Sequence, residues 1–211
     1  MGQIDAIRGD DGALRTIRDV GEYDVWSTVA IDAVQAAELY AFSYAIGANV
    51  ASGTGVTPTA TKLETNLHVA NQFVDESMNV YAIAIQPHRA TVGALTLAAA
   101  QYTMTLADYV NLEAYVHFGF HVGGDKPFAE GKLTWFAEAG GIYGVSQVNN
   151  AAVLANNVPT PASARTWKYT LPIGRIEKFW ARFEFPRGAV ATGGDIAITV
   201  RLLGVRTRGV Q

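Results

Sequence analysis

Alternation of apolar and polar residues with a period of two runs through most of the chain and predicts short β-strands. The clearest cases lie near the C-terminal end. In EKFWARFEFP, Phe179, Ala181, Phe183 and Phe185 share one face, and in DIAITVRLLGV, Ile196, Ile198, Val200 and Leu202 do. TWKYTLPI is a third strand just before them. Upstream, MNVYAIAIQP is a β-rich run that Pro87 is expected to stop. NLEAYVHFGFHV sets Leu112, Ala114, Val116, Phe118, Phe120 and Val122 on one face. Its other face carries Glu113, Tyr115, His117, Gly119 and His121. LYAFSYAIG, the alternating segment from Leu63 to Phe73, and KLTWFAEAGG complete the strand-like runs.

Other segments read differently. Asp10-Asp11-Gly12 is a turn, after which Leu14, Ile17 and Arg18 fit one face of a short helix. Residues 25–37 fit either a helix, with Val29, Ala33, Ala36, Ala37 and Tyr40 on one face, or a strand over 25–31. Residues 92–107 are rich in Ala and Leu and predict a short helix. ASGTGVTPTAT is a loop, and the small, polar residues 144–166, with Pro159 and Pro161, read as a long surface loop.

About eight strands separated by Gly- and Pro-containing turns predict an all-β fold, a single jelly-roll sandwich of two packed four-stranded sheets with a short helix between strands. Residues 1–24 are expected to form an N-terminal arm and residues 25–211 one jelly-roll domain.

Composition narrows the function. Only 17% of residues are charged, against about 25% in a typical soluble domain. That is the composition of a surface partly buried against partners. The net charge of −3, with mixed signs, argues against binding nucleic acid by phosphate neutralisation. Without cysteine there is no disulfide, thiolate metal site or thiol nucleophile. No apolar run reaches membrane-spanning length. The start, MGQIDAIRGDDG, has no apolar core flanked by basic residues, so no signal peptide is expected, and Ala6 and Ile7 depart from a myristoylation pattern.

One stretch invites a chemical reading: HFGFHVGGDKPFAEG, residues 117–131. His117 and His121 are spaced as two zinc ligands would be on a helix. On a strand, four residues span about 13 Å. Two ligands each about 2 Å from one metal cannot be that far apart. Cupins, which are metal-binding jelly rolls, use His-x-His with a nearby glutamate; here the spacing is His-x-x-x-His, and Glu130 is too distant. The histidines are therefore expected to face solvent or a neighbour. Gly123-Gly124-Asp125-Lys126-Pro127 lacks phosphate-loop spacing and reads as a hairpin turn. His68 and His88 stand alone, and Asp75-Glu76 reads as a solvated acidic pair. Trp26, Trp135, Trp167 and Trp180 read as core or interface aromatics, with a sugar platform as the functional alternative. Arg201, Arg206 and Arg208 in the tail RLLGVRTRGVQ are expected to meet a neighbouring subunit's carboxylates, or an enclosed genome. No catalytic, cofactor-binding or metal residue is assigned, and no enzyme activity or cofactor is expected.

Two segments carry a family resemblance. TKLETNLHVANQFVDESMNVYAIAIQP (61–87) resembles the early strands of small jelly-roll major capsid proteins of tailless icosahedral bacterial viruses. FWARFEFPRGAVATGGDIAITVRLLGVRTRGVQ (179–211) is similar to their end, an aromatic strand closing in Phe-Pro, a Gly-containing turn, and a last strand with Leu-x-Gly and an Arg-containing tail. FAEGKLTWFAEAGGIYG (128–144) has a similar character. The resemblance implies a structural virion protein of the single-roll type, a homo-oligomer of trimeric or similar capsomers that meets neighbouring capsid proteins in an icosahedral shell. It implies location in the virion, assembly in the host cytoplasm, and contact with a genome or an internal membrane. It brings no catalytic residues. The alternatives on the same fold are a carbohydrate-binding or host-attachment module and a cupin-like metalloenzyme.

Overall fold

The computed structural model describes residues 6–8, 14–16, 20–32, 34–35, 37–52, 58–89, 106–136, 142–148, 151–156, 165–193 and 195–208. The strands in chain order are β1 (Ala6–Arg8), β2 (Leu14–Thr16), β3 (Val20–Ile31), β4 (Val34–Gln35), β5 (Leu39–Ala41), β6 (Glu76–Arg89), β7 (His117–Val122), β8 (Pro127–Lys132), β9 (Ile142–Val148), β10 (Ala151–Asn156), β11 (Arg165–Ile173), β12 (Phe179–Glu184), β13 (Val190–Ala191) and β14 (Ile196–Arg208). Helix α1 spans Leu106–Tyr115, and Leu133–Phe136 is a 3-10 turn.

The fold is an all-β sandwich. One four-stranded sheet has the order β11-β6-β14-β3, the other β5-β12-β7-β8, and every pairing is antiparallel. A single apolar core joins them: Val25, Val29, Val80, Ile198 and Val200 from the first sheet meet Leu39, Phe118, Phe120, Phe179 and Phe183 from the second. Trp167 of β11 stacks on Phe120 of β7 across the layers, with centroids 6.5 Å apart. Each phenylalanine so buried stabilises the sandwich by about 1.5–3 kcal/mol relative to exposure.

The alternation read in 179–185 and 196–202 appears as predicted. Phe179, Ala181, Phe183 and Phe185 are buried while Trp180, Arg182 and Glu184 are not fully so, and Ile196, Ile198, Val200 and Leu202 are wholly buried. In β6 the inward set changes phase. Met78 and Val80 face the main core, as do Ile83 and Ile85. The change occurs at a β-bulge, where Leu203 pairs with Ala82 and Gly204 with Val80, leaving Tyr81 as the extra residue. The strand also runs past Pro87, which pairs with Ile198. The described pairing of β6 with β11 ends at Ile83, so Pro87 needs to serve only one neighbour.

Several sequence expectations are corrected. Residues 112–115 belong to α1 rather than to a strand; of the helix expected over 92–107, only 106–107 are described, and they lie in α1. Tyr109, Leu112 and Val116 turn into the core from α1 and its end, a helical face that mimics strand alternation over so short a window. In KLTWFAEAGG, β8 ends at Lys132 and Leu133–Phe136 is a 3-10 turn rather than a strand; residues 137–141 lie outside the described residues. Residues 63–73 form turns joined to β3 and to Arg175 by single bridges, and Leu63 is exposed. Residues 142–148 and 151–156 pair as a hairpin rather than a loop. Leu14–Thr16 is a strand paired with Ala6–Arg8, not a helical turn; Ile17 and Arg18 lie outside the described residues. β3 starts at Val20, so the arm boundary expected at residue 24 falls inside a strand paired with β14 from Val20↔Thr207 onward.

The free edge of β3 is covered rather than left open for pairing. Thr28 N–H donates to the Glu64 carbonyl at 2.9 Å and Ala30 N–H to Ala51 at 3.1 Å. The Tyr44 hydroxyl accepts from Thr28 N–H at 3.0 Å and donates to the Thr28 carbonyl. The same loop buries Ala30 and Ala197 beneath Tyr44, Val50 and Ala60. No helix among the described residues is long and apolar enough to cross a membrane.

Candidate functional site

The most chemically dense surface is the outer face of the second sheet. Because β12 alternates, Trp180, Arg182 and Glu184 point away from the core. The register sets them opposite His121, Gly119 and His117 of β7, with Tyr40 of β5 beside Arg182. Glu130 of β8 continues the row past Gly119.

Arg182 organises one half of this face. Its Nε and Nη2 donate to the two carboxylate oxygens of Glu38, at 3.2 and 2.5 Å, and Nη1 lies 2.8 Å from Glu184. His117 Nδ1 lies 3.3 Å from Glu184, and the Tyr40 hydroxyl donates to Glu38 at 2.7 Å. The fork of Arg182, then the Tyr40 hydroxyl, hold the Glu38 carboxyl below its ordinary range. Their own hydrogen bonds to Glu38 in turn raise the Tyr40 phenol and the Arg182 guanidinium. These groups are largely solvated, so the network orients side chains more than it stabilises the fold.

His121 organises the other half. It is 5% exposed and lies flat against Trp180, with centroids 5.2 Å apart and planes 6° from parallel. The ring lies close to Gly119, where a Cβ would stand 3.1 Å from His121 Nε2 and the ring would have to give by a few tenths of an ångström. A cavity of about 370 Å³ opens here, lined by Tyr40, Ser43, Asn71, His121, Asp125, Trp180 and Arg182. Asn71 reaches it from the loop before β6. Its N–H donates to Phe42, its carbonyl accepts from Phe179 N–H, both at 2.8 Å, and its φ is +62°.

His117 and His121 thus share a face and line one small cavity of about 110 Å³ with Glu130. Each is engaged with a different partner, Glu184 and Trp180. His121 is buried rather than solvent-facing, because Trp180 lies over it. Among the described residues, no three His, Cys, Asp or Glu side chains converge for a metal. Residues 123–126 connect β7 and β8 as the expected hairpin, with Gly123 at φ +68°. His68 is exposed; Asp75 is solvated as expected, with Arg175 3.7 Å away, whereas Glu76 is half-buried at the start of β6, 3.3 Å from Arg206. Two of the tail arginines have partners within the chain. Arg201 bonds Asp24 at 2.5 Å, and Arg206 pairs with Glu76 while stacking 4.0 Å over the Tyr23 ring. Both serve carboxylates of their own chain; the Arg208 side chain lies outside the described residues. Trp167 is packed on Phe120 and edge-on to Phe128, and Trp135 is 56% exposed, its ring lying over Gly131.

Glu38, Tyr40, Asn71 and Arg182 carried no sequence signal as a group, since they come from three separate segments. The polar half of EKFWARFEFP was the one visible clue. No protein-family model, curated protein or solved structure matches the chain.

Proposed function

We propose that the sandwich is a single jelly roll and that the chain is a capsid-type subunit, self-assembling into capsomers and a closed shell. The observation that carries this is the nesting of its strands. A jelly roll is a long antiparallel hairpin folded into two sheets, so its eight strands pair first with last, second with seventh, third with sixth and fourth with fifth. Counting β3, β5, β6, β7, β8, β11, β12 and β14 in order, the pairs β3–β14, β5–β12, β6–β11 and β7–β8 follow that scheme. Jelly rolls serve shells, lectins and cupins alike. The shell is favoured by low charge and by large apolar side chains exposed on separate parts of the surface: Val34 at 64%, Leu63 at 79%, Val110 at 55% and Ile176 at 73%. A subunit that meets neighbours on several sides needs such contacts. The family resemblance of segments 61–87 and 179–211 points the same way.

The test is light scattering on Leu63→Asp and Val110→Asp. Assembly predicts that at least one variant stays folded but loses oligomers that the unaltered chain forms. Identical scattering from all three proteins would reject these faces as contacts.

A further inference from the structure

A sheet edge with unpaired backbone groups is a template for another chain, and natural folds blunt it with short strands, charges, proline, bulges or a covering loop. Each edge strand of the two large sheets is blunted in one of these ways. The loop bearing Tyr44 and Glu64 covers β3. β5 is three residues long. β8 carries Pro127, Glu130 and Lys132, with a bulge at Phe128. β11 carries Arg165, Lys168 and Pro172, and its register shifts between Thr166 and Leu171. The small ribbons β1–β2 and β4–β13 have strands of only two or three residues.

The β9–β10 hairpin is the exception among the described elements. It forms a two-stranded sheet of its own, with strands of seven and six residues. Neither strand contains proline or a charged residue, and the uncharged run extends from Ala139 to Ala164. Helix α1 approaches β10, but among the described residues no third strand pairs with the hairpin. A lone two-stranded hairpin is only marginally stable in water, and a third strand is what such a ribbon lacks. Its two edges are not equal. In β9, Gly144 and Val145 stand opposite the single residue Leu154, between the pairs Tyr143↔Ala155 and Ser146↔Val153, so a bulge interrupts that strand. β10, Ala-Ala-Val-Leu-Ala-Asn over 151–156, has no extra residue and is the edge suited to further pairing.

We propose that the edge of β10 pairs antiparallel with β10 of a second copy of this chain, joining two hairpins into one four-stranded sheet about a two-fold axis. Like charges placed opposite each other oppose such self-pairing, and β10 has none. The strand also offers no charge for an unlike partner to read. Backbone hydrogen bonds and apolar matching remain, and an identical strand supplies both. This deepens the assembly reading, on which it rests for the second copy, by naming a backbone edge through which two copies join.

The chain has no cysteine, so single cysteines placed one at a time at residues 151–156 of the full chain test the pairing by mild oxidation and non-reducing electrophoresis. At the residue on the two-fold axis a cysteine faces its own mate. Two residues along, the two cysteines are four residues of strand apart, about 13 Å. That is beyond the roughly 7 Å between Cα atoms that a disulfide tolerates. A disulfide-linked dimer is expected as the main product at one central position, Val153→Cys or Leu154→Cys, and is expected to be absent from Ala151→Cys and Asn156→Cys. Thermal melts by circular dichroism verify the fold of every variant, and sedimentation velocity of the unaltered chain reports association independently. Dimers at no position, or equal crosslinking at all positions, would overturn the edge; if the unaltered chain still associates, the assembly reading survives that result. An unaltered chain that stays monomeric would overturn both.

Discussion

His121 of β7 and Trp180 of β12 form a parallel stack on the outer face of their sheet, 5.2 Å between centroids, directly opposite each other in the strand register. A cross-strand aromatic pair of this kind is worth about 0.5–1.5 kcal/mol beyond the area it buries. Trp180→Ala is therefore expected to lower unfolding free energy by about 2 kcal/mol in urea titration, and Trp180→Phe by less than half of that. Equal losses from the two variants would mean the stack contributes nothing.

Gly204 sits opposite the bulge in β6, where a Cβ would stand 2.4 Å from the Asn79 carbonyl oxygen and 2.7 Å from the Met78 methyl. The carbonyl belongs to a ladder paired on both sides and cannot retreat freely. Gly204→Ala is expected to cost about 3 kcal/mol, at the upper end of overpacking penalties. Gly124→Ala, with open space around it, is the control and is expected to change stability little. A Tm for Gly204→Ala matching that control would contradict the close approach.

Ile176 is a β-branched residue at φ +58°, 73% exposed, with its N–H donating to Phe73 at 2.8 Å. A left-handed conformation costs such a residue about 1–2 kcal/mol, and its exposed side chain recovers none of it within the chain. Ile176→Asn is expected to raise Tm by a few degrees. If Ile176 is an assembly contact, the same variant assembles less well, a trade visible by comparing melting with light scattering.

Tyr44 is buried, and burial pushes its phenol up to about 12 from an ordinary 10. The folded state thus holds the proton more tightly than the unfolded chain does. The resulting stabilisation is complete below pH 10 and is lost as pH rises toward 12, at about 1.4 kcal/mol per pH unit. Tyr44→Phe is expected to be about 1 kcal/mol less stable at neutral pH, through the lost contacts with Thr28, and to show a flatter decline between pH 10 and 12. Parallel alkaline declines in the two proteins would show that Tyr44 does not carry the effect.

Much of the sandwich was legible because half-buried strands advertise themselves by alternation. Residues 179–185 and 196–202 read correctly for that reason. Where the pattern misled, a competing geometry had the same local signature. Leu112 and Val116 sit four apart, a spacing shared by one helical face and one strand face. Leu63, Leu67 and Phe73 alternate as a strand would, yet the segment turns: Glu64 and Thr65 meet the edge of β3, while the carbonyls of Leu67 and Phe73 accept from Ile46 and Ile176. The phase change from Val80 to Ile83 was written in the sequence, but only the pairing with Leu203 and Gly204 explains it as a bulge. The outer-face cavity was not legible. Asn71 and Asp125 lie in loops, His121 looked exposed, and their meeting depends on register rather than on local spacing.

Self-assembly through exposed apolar faces is the central proposal, and negative-stain electron microscopy of the purified chain, over a series of concentrations and salt conditions, tests it most directly. Discrete capsomers or closed shells of uniform size are the predicted result. A chain that stays strictly monomeric throughout the series would contradict it.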